Sequence, residues 1–156
     1  MKKNLLTLTL AVLMIVGVTA CASLAEDEKK GLVPEFSVTV VTADGEKTLT
    51  DETIVDVAVV EKELVKSTKK GEYTNTWTGV ALNDALKALD ITEFTKLTVE
   101  ASDGYSQEYT SEMVDSAILA YRCDGELLGE DGPVETVIDG QSGNLWMKNL
   151  VKITVE

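Results

Sequence analysis

The 156-residue chain contains no histidine and only one arginine, Arg122. Without histidine it lacks the commonest general base near neutral pH and the commonest transition-metal ligand. Lysine and arginine total 14, against 27 aspartates and glutamates, so the formal net charge is −13. Such a surface repels nucleic acid and anionic lipid headgroups, because both are bound through basic clusters. A nucleic-acid-binding protein is therefore excluded, and any attachment to a membrane has to come from an apolar anchor.

The first 20 residues have the composition of a secretion signal. Lys2 and Lys3 precede an apolar run from Leu5 to Val18, and two small residues follow that run. The run is shorter than the ~20 apolar residues that a membrane-spanning helix needs. We therefore expect residues 1–20 to be a signal peptide, with an uncleaved anchor helix as the alternative.

The sequence Val-Thr-Ala-Cys at residues 18–21 resembles a bacterial lipobox, which is cleaved before its cysteine and acylated on that residue. Several acyl chains on Cys21 would anchor the protein firmly to a membrane. Cleavage after Ala22 or Ala25, as in ordinary secretion, is the alternative. We expect a lipoprotein on the extracytoplasmic face of a bacterial cell membrane, with residues 21–35 as a flexible tether and 36–156 as one domain.

Few residues suited to chemistry remain in the predicted domain. Cys123 is its single cysteine, so the domain has no internal disulfide. Adjacent acidic residues, such as Glu130 and Asp131, match no calcium-loop spacing and indicate a solvated acidic face. The domain contains no phosphate-binding glycine loop, Ser-His-Asp set or zinc spacing. We predict no catalytic residue and no metal ligand from these patterns.

Alternating apolar residues predict strands over much of the domain. Asp-Gly pairs at residues 44–45, 103–104 and 124–125 predict turns. Thr50 is a candidate N-cap for a short helix, and residues 69–79 look like a loop. The fold class is α+β, with mostly antiparallel mixed sheets and a few short helices. Strands are expected at 36–50 as a hairpin and at 96–102, 118–122, 134–138 and 151–155, with helices at 81–90 and 110–117. Residues 57–68 are compatible with a helix or a strand, and their frequent valines favour a strand.

Five short motifs occur in an order that resembles the oxidoreductase molybdopterin-binding domain, the sulfite-oxidase-like fold. The resemblance extends over about residues 36–156, and no single motif is specific by itself. The motifs are Trp-Thr-Gly-Val-Ala-Leu (77–82), Asp-Gly-Tyr (103–105), Leu-Ala-Tyr-x-x-Asp-Gly-x-x-Leu (119–128), Gly-Pro-Val (132–134), and Trp-x-Lys-x-Leu (146–150).

The resemblance implies a molybdenum-pterin site from which key groups are missing. The family's metal-binding cysteine lies before the Thr-Gly-Val helix, but residues 57–76 contain no cysteine. The family's His-Gly-x-Pro-x-Arg stretch corresponds to residues 130–135, which read Glu-Asp-Gly-Pro-Val-Glu. An anionic cofactor requires cationic groups, so Glu135 in place of arginine turns attraction into repulsion. Cys123 occupies a variable hairpin position, which favours a structural thiol over a ligand.

Four polar or aromatic residues are candidates for a ligand cleft: Trp77, Asp103, Tyr105 and Glu135. The alternative is that Trp77 belongs to the core and that Asp103 only forms a turn. We expect an accessory module without cofactor, which binds a small molecule or an extracytoplasmic redox partner. The second hypothesis is an oxidoreductase that holds molybdenum-pterin by atypical contacts. A purely structural envelope protein is a third, which the sequence does not separate from the first.

Overall fold

The computed structural model describes residues 33–156, which fold into two five-stranded sheets with short helices. The predicted signal peptide, Cys21 and most of the tether lie outside the described residues. In chain order the elements are β1 (Ser37–Thr42), β2 (Gly45–Thr50), β3 (Val59–Thr68), β4 (Gly71–Ala81), α1 (Leu82–Lys87), β5 (Lys96–Ala101), β6 (Ser106–Thr110), α2 (Ser111–Ser116), β7 (Ala117–Cys123), β8 (Glu126–Leu127), β9 (Glu135–Ile138) and β10 (Leu150–Val155). Two 3-10 turns, at Gly129–Asp131 and Gly143–Leu145, flank β9.

The first sheet has the strand order β2-β1-β10-β5-β6. β1 pairs with β10 in parallel, and the other neighbouring strands are antiparallel. Alternate residues such as Val38, Val40, Leu97 and Val99 are fully buried, which is the period-2 pattern that the sequence shows. The predicted α+β class with mostly antiparallel pairing is confirmed.

The second sheet carries the candidate site. Its order is β3-β4-β7-β8, and β9 also pairs with β7. The helices α1 and α2 contact each other and β7. Thr110 caps α2, because its hydroxyl accepts a hydrogen bond from Met113 N. In this sheet Lys62 lies opposite Trp77 and Glu61 opposite Thr78, so the two pairs of side chains point to opposite faces.

Two sequence predictions of local structure are wrong, and one strand was not predicted. Residues 51–57 form turns and not a helix, because four of these seven residues are β-branched. Residues 71–79 are strand, since Lys69-Lys70 makes a two-residue turn and the polar residues after it pair with β3. β6 was not predicted, because its one buried apolar residue, Tyr109, gives no alternation. The remaining predicted strands and both later helices are confirmed, with α1 shorter than expected.

Candidate functional site

A buried ion pair links β3 to β9. Glu135 is the first residue of β9, a strand whose four residues are all buried, and it has no exposed surface. Lys66 Nζ lies 3.6 Å from Glu135 Oε1, and the Lys66 side chain is 20 % exposed. That distance is too long for a good hydrogen bond, so the attraction is mainly electrostatic. The pair joins the two stretches that the family resemblance singles out, residues 57–76 and 130–135.

One tryptophan contacts the ion pair, and a second packs against the first. Lys66 Nζ lies 4.9 Å from the centroid of the Trp146 ring, a cation–π contact. The Trp146 ring meets Trp77 edge to face, with centroids 5.5 Å apart and an interplanar angle of 84°. Trp146 Nε1 donates to the Ile138 carbonyl at 3.0 Å, which fixes the orientation of the indole. We refer to Lys66, Glu135, Trp77 and Trp146 as the Lys66–Glu135 cluster.

Local packing explains why Lys66 lies across Trp146. The 3-10 turn Gly143–Leu145 runs beside β3, where Ser142 bridges to Ser67. A Cβ on Gly143 would come within 2.9 Å of Lys66 Cε, so glycine allows the lysine stem to pass. Tyr109 also fixes this turn, because its hydroxyl donates to the Leu145 carbonyl and forms a hydrogen bond with Thr136 Oγ1 at 2.7 Å.

The cluster contains polar atoms without hydrogen bonds. Within residues 33–156, neither carboxylate oxygen of Glu135 has a hydrogen-bond partner, and neither does Trp77 Nε1. Burial raises the pKa of Glu135, and the nearby Lys66 and Lys148 only partly oppose that increase. A buried carboxyl and a buried indole N–H that both lack hydrogen bonds are suited to a bound water or a small polar molecule.

A cleft of about 290 Å³ opens beside the cluster. Tyr105 forms one side, with its amide donating to Asp103 Oδ1 at 2.9 Å and its hydroxyl donating to the Asn144 carbonyl at 3.2 Å. Lys148 lies at another side and pairs with Asp131 at 2.6 Å. The cleft is lined by Lys66, Ala101, Asp103, Tyr105, Gly143, Asn144, Trp146, Met147 and Lys148. It thus combines aromatic surface with positively and negatively charged side chains.

The four residues predicted for a ligand cleft divide into two pairs. Asp103 and Tyr105 line the cleft and are exposed. Trp77 and Glu135 are buried and join the same region through Trp146 and Lys66 respectively. Sequence reasoning missed Lys66, although it lies two residues after the buried Leu64 and therefore on the same face of β3. A lysine in an exposed-looking strand gives no other sign that it pairs with a buried acid.

Cys123 lies opposite Trp77 in the register of β4 and β7, on the face of the sheet that carries the Lys66–Glu135 cluster. Burial is the main cause that raises the pKa of its thiol, and Asp124 and Glu135 add to the increase. Arg122 belongs to the opposite face, where its Nη1 donates to the Gly125 carbonyl at 3.1 Å. The thiol is therefore protonated at neutral pH, as the interpretation of Cys123 as a structural thiol requires.

Two features are absent from the described part of the chain. No helix in it is both long and apolar enough to cross a bilayer. No group of three or more His, Cys, Asp or Glu side chains within residues 33–156 is placed to hold a metal ion.

Comparisons with known proteins agree with the motif order. The model of the oxidoreductase molybdopterin binding domain matches residues 34–156. Among solved structures, the sulfane dehydrogenase SoxCD from Paracoccus pantotrophus is similar, with a TM-score of 0.65 and 17 % identity over 77 % of this chain. The match covers 38 % of the SoxCD chain, so it supports the fold alone. No curated protein sequence matches the chain.

Proposed function

Because the chain belongs to the oxidoreductase molybdopterin-binding domain family, we propose that it is an accessory form of that domain. In this proposal it is a lipoprotein anchored through Cys21 on the extracytoplasmic membrane face. Its domain keeps the family fold without the cofactor and binds a small ligand or an extracytoplasmic redox partner. The observation that carries the proposal is the buried Lys66–Glu135 pair, which connects the two stretches where the family has its cysteine and its arginine.

The donor chemistry of the site does not fit a molybdenum-pterin. Such a group brings a phosphate and an anionic dithiolene, and its metal takes a protein thiolate. Here the corresponding stretches supply Lys66 and a fully buried Glu135, whose carboxylate is already next to Asp131 and Lys148. The thiol of Cys123 has a raised pKa and so is a poor source of thiolate. We derive no reaction step through this cofactor.

The cleft supports a binding role. Trp146 and Tyr105 offer aromatic surface, and Lys148 and Asp103 offer one charge of each sign. Clefts that combine apolar walls with a few polar groups are typical small-molecule sites. Since the Lys66–Glu135 pair is already mutually compensated, a ligand here is recognised by the exposed groups and not by displacing the pair.

The second candidate is a molybdopterin-dependent oxidoreductase with an atypical site, which the family match favours. Metal and pterin content distinguish the two. We expect the full chain, purified from a host that makes the pterin cofactor, to contain far less than one molybdenum per chain. Inductively coupled plasma mass spectrometry would measure the metal, and fluorescence after oxidative release would measure the pterin.

An active molybdoenzyme of the same family, produced in the same host, is the control for cofactor supply. Stoichiometric molybdenum with matching pterin in this chain would refute the loss of the cofactor. Metal without pterin would indicate nonspecific binding and would leave the proposal intact.

The anchor has a separate test. We expect Cys21→Ala to move the protein from the membrane fraction to soluble or unprocessed forms, because the substitution removes the acylated side chain. Metabolic labelling with a radioactive fatty acid should mark the wild type and not the variant, and Cys123→Ala is the matched control that should keep both properties. Unchanged fractionation of Cys21→Ala would show that the lipid anchor is wrong.

A further inference from the structure

A second cavity lies on the other face of the β3-β4-β7 sheet, away from the Lys66–Glu135 cluster. Its volume is about 280 Å³, and most of its surface is aliphatic. At ~30 Å³ per water-sized volume it has room for roughly nine heavy atoms. The lining comes from four separate parts of the fold and consists of Val33, Ile54, Val55, Val57, Val59, Glu61, Thr78, Val80, Tyr121, Arg122 and Gly125.

The strand register orders the floor of the cavity into a polar and an apolar row. Glu61, Thr78 and Arg122 are directly opposite one another across β3, β4 and β7. Val59 and Val80 form the next row, again directly opposite each other. Adjacent strands are ~4.8 Å apart, so Glu61 and Arg122 lie at the two ends of a polar row about 10 Å long. The cavity is therefore amphipathic in a defined direction.

The apolar wall is held in place by its own hydrogen bonds. Thr50 and Thr53 bond each other through backbone and side chain, with Thr53 N donating to Thr50 O at 3.1 Å. These bonds fix the turn segment that carries Ile54, Val55 and Val57. Val59, at the rim, remains 56 % exposed although it belongs to this aliphatic set. An exposed aliphatic surface on a segment that is held by hydrogen bonds is suited to bind an apolar ligand.

The polar end offers donors for an anionic head group. Arg122 is the only basic residue that lines the cavity. A guanidinium has five N–H donors and serves several acceptors at once, so the bond of Arg122 to the Gly125 carbonyl and its other interactions are compatible with a further acceptor. Burial raises the pKa of the neighbouring Tyr121, whose phenol therefore stays neutral and able to donate. Glu61 lies two strands away, where its Oε2 accepts from Thr78 Oγ1 at 3.4 Å.

We propose that this cavity binds a medium-chain aliphatic carboxylate, with the chain among the valines and the carboxylate at Arg122. The inference does not depend on the presence or absence of a cofactor in the family site, because the two sites lie on opposite faces of the sheet. It also gives the chain's one arginine a role in recognition.

Photo-crosslinking of the full chain in isolated membranes tests the proposal. The probe is octanoate carrying a diazirine near its methyl end, and mass spectrometry locates the labelled peptides. We expect labelling within residues 54–59 and competition by unmodified octanoate. Val59→Asp should lower the labelling about tenfold, the equivalent of ~1.4 kcal/mol, because it places a charge in the apolar wall. Val65→Asp is the matched control, since Val65 is exposed on the same face of β3 but outside the cavity.

The head group is tested separately. Arg122→Gln should lower labelling by the octanoate probe about tenfold and leave labelling by the matching octanol probe within about twofold. Lys62→Gln, an exposed change on the other face of β3, should alter neither. A loss of cooperative unfolding in any variant excludes that variant from the comparison. Labelling outside the cavity, or equal labelling of Val59→Asp and Val65→Asp, would refute the site; an equal effect of Arg122→Gln on both probes would refute the carboxylate assignment.

Discussion

Replacing Gly79 by alanine is expected to lower the free energy of unfolding by roughly 3 kcal/mol or more. Gly79 on β4 lies opposite Ala120 on β7, next to a break in the strand register. A Cβ at this position would be 2.1 Å from the Leu119 carbonyl oxygen and 2.7 Å from Ala120 Cα. Both clashing atoms are backbone, and β7 cannot retreat because β9 pairs with it on the other side. Denaturant unfolding, followed by tryptophan emission, measures the loss.

The neighbouring substitution Thr78→Ala is the control for this prediction. Thr78 is half-buried, and its hydroxyl makes only a long bond to Glu61, so we expect a loss below about 1 kcal/mol. Both changes leave alanine in the same strand, and only Gly79→Ala introduces the backbone clash. A Gly79→Ala protein as stable as Thr78→Ala would show that β4 and β7 are not this close.

Replacing Lys66 by methionine is expected to lower the free energy of unfolding by about 3 kcal/mol at neutral pH. The substitution leaves Glu135 buried without its cationic partner, and breaking a buried pair by removing one member is strongly destabilising. The double variant Lys66→Met, Glu135→Gln should recover most of the loss, because no uncompensated charge remains. Lys62→Met is the control, since Lys62 is exposed on the same face of the same strand. Both tryptophans of the chain belong to the cluster, so their emission reports directly on it.

The pH dependence of this loss follows from the raised pKa of Glu135. The folded state binds the proton more tightly than the unfolded state, whose carboxyl has a pKa near 4.5. The resulting stabilisation is complete below that value and is lost as the pH rises through the folded pKa. Without Lys66 the folded pKa rises further, so the cost of Lys66→Met should grow from about pH 4 towards pH 8. A cost that is the same at both ends of this range would contradict a buried, titrating Glu135.

The sequence predicted the architecture better than the site. Alternation in β1 and β5 is directly visible, because each strand has one buried face. β4 was missed because its first four residues, Gly71 to Thr74, are all exposed and show no alternation of apolar residues. Glu135 was recognised from the family motif, whereas its partner depends on which residue of β3 points inward beside Gly143. That pairing is a tertiary property, and no short-range pattern encodes it.

The proposed loss of the cofactor depends on Lys66 and Glu135 being each other's partners. A crystal structure of the full chain, purified from a host that makes the pterin cofactor, tests this most directly. We expect the Lys66 ammonium beside the Glu135 carboxylate and over the Trp146 ring, with at most water or a small polar molecule near Trp77. Pyranopterin density between β3 and residues 130–135, with Lys66 turned away from Glu135, would contradict it.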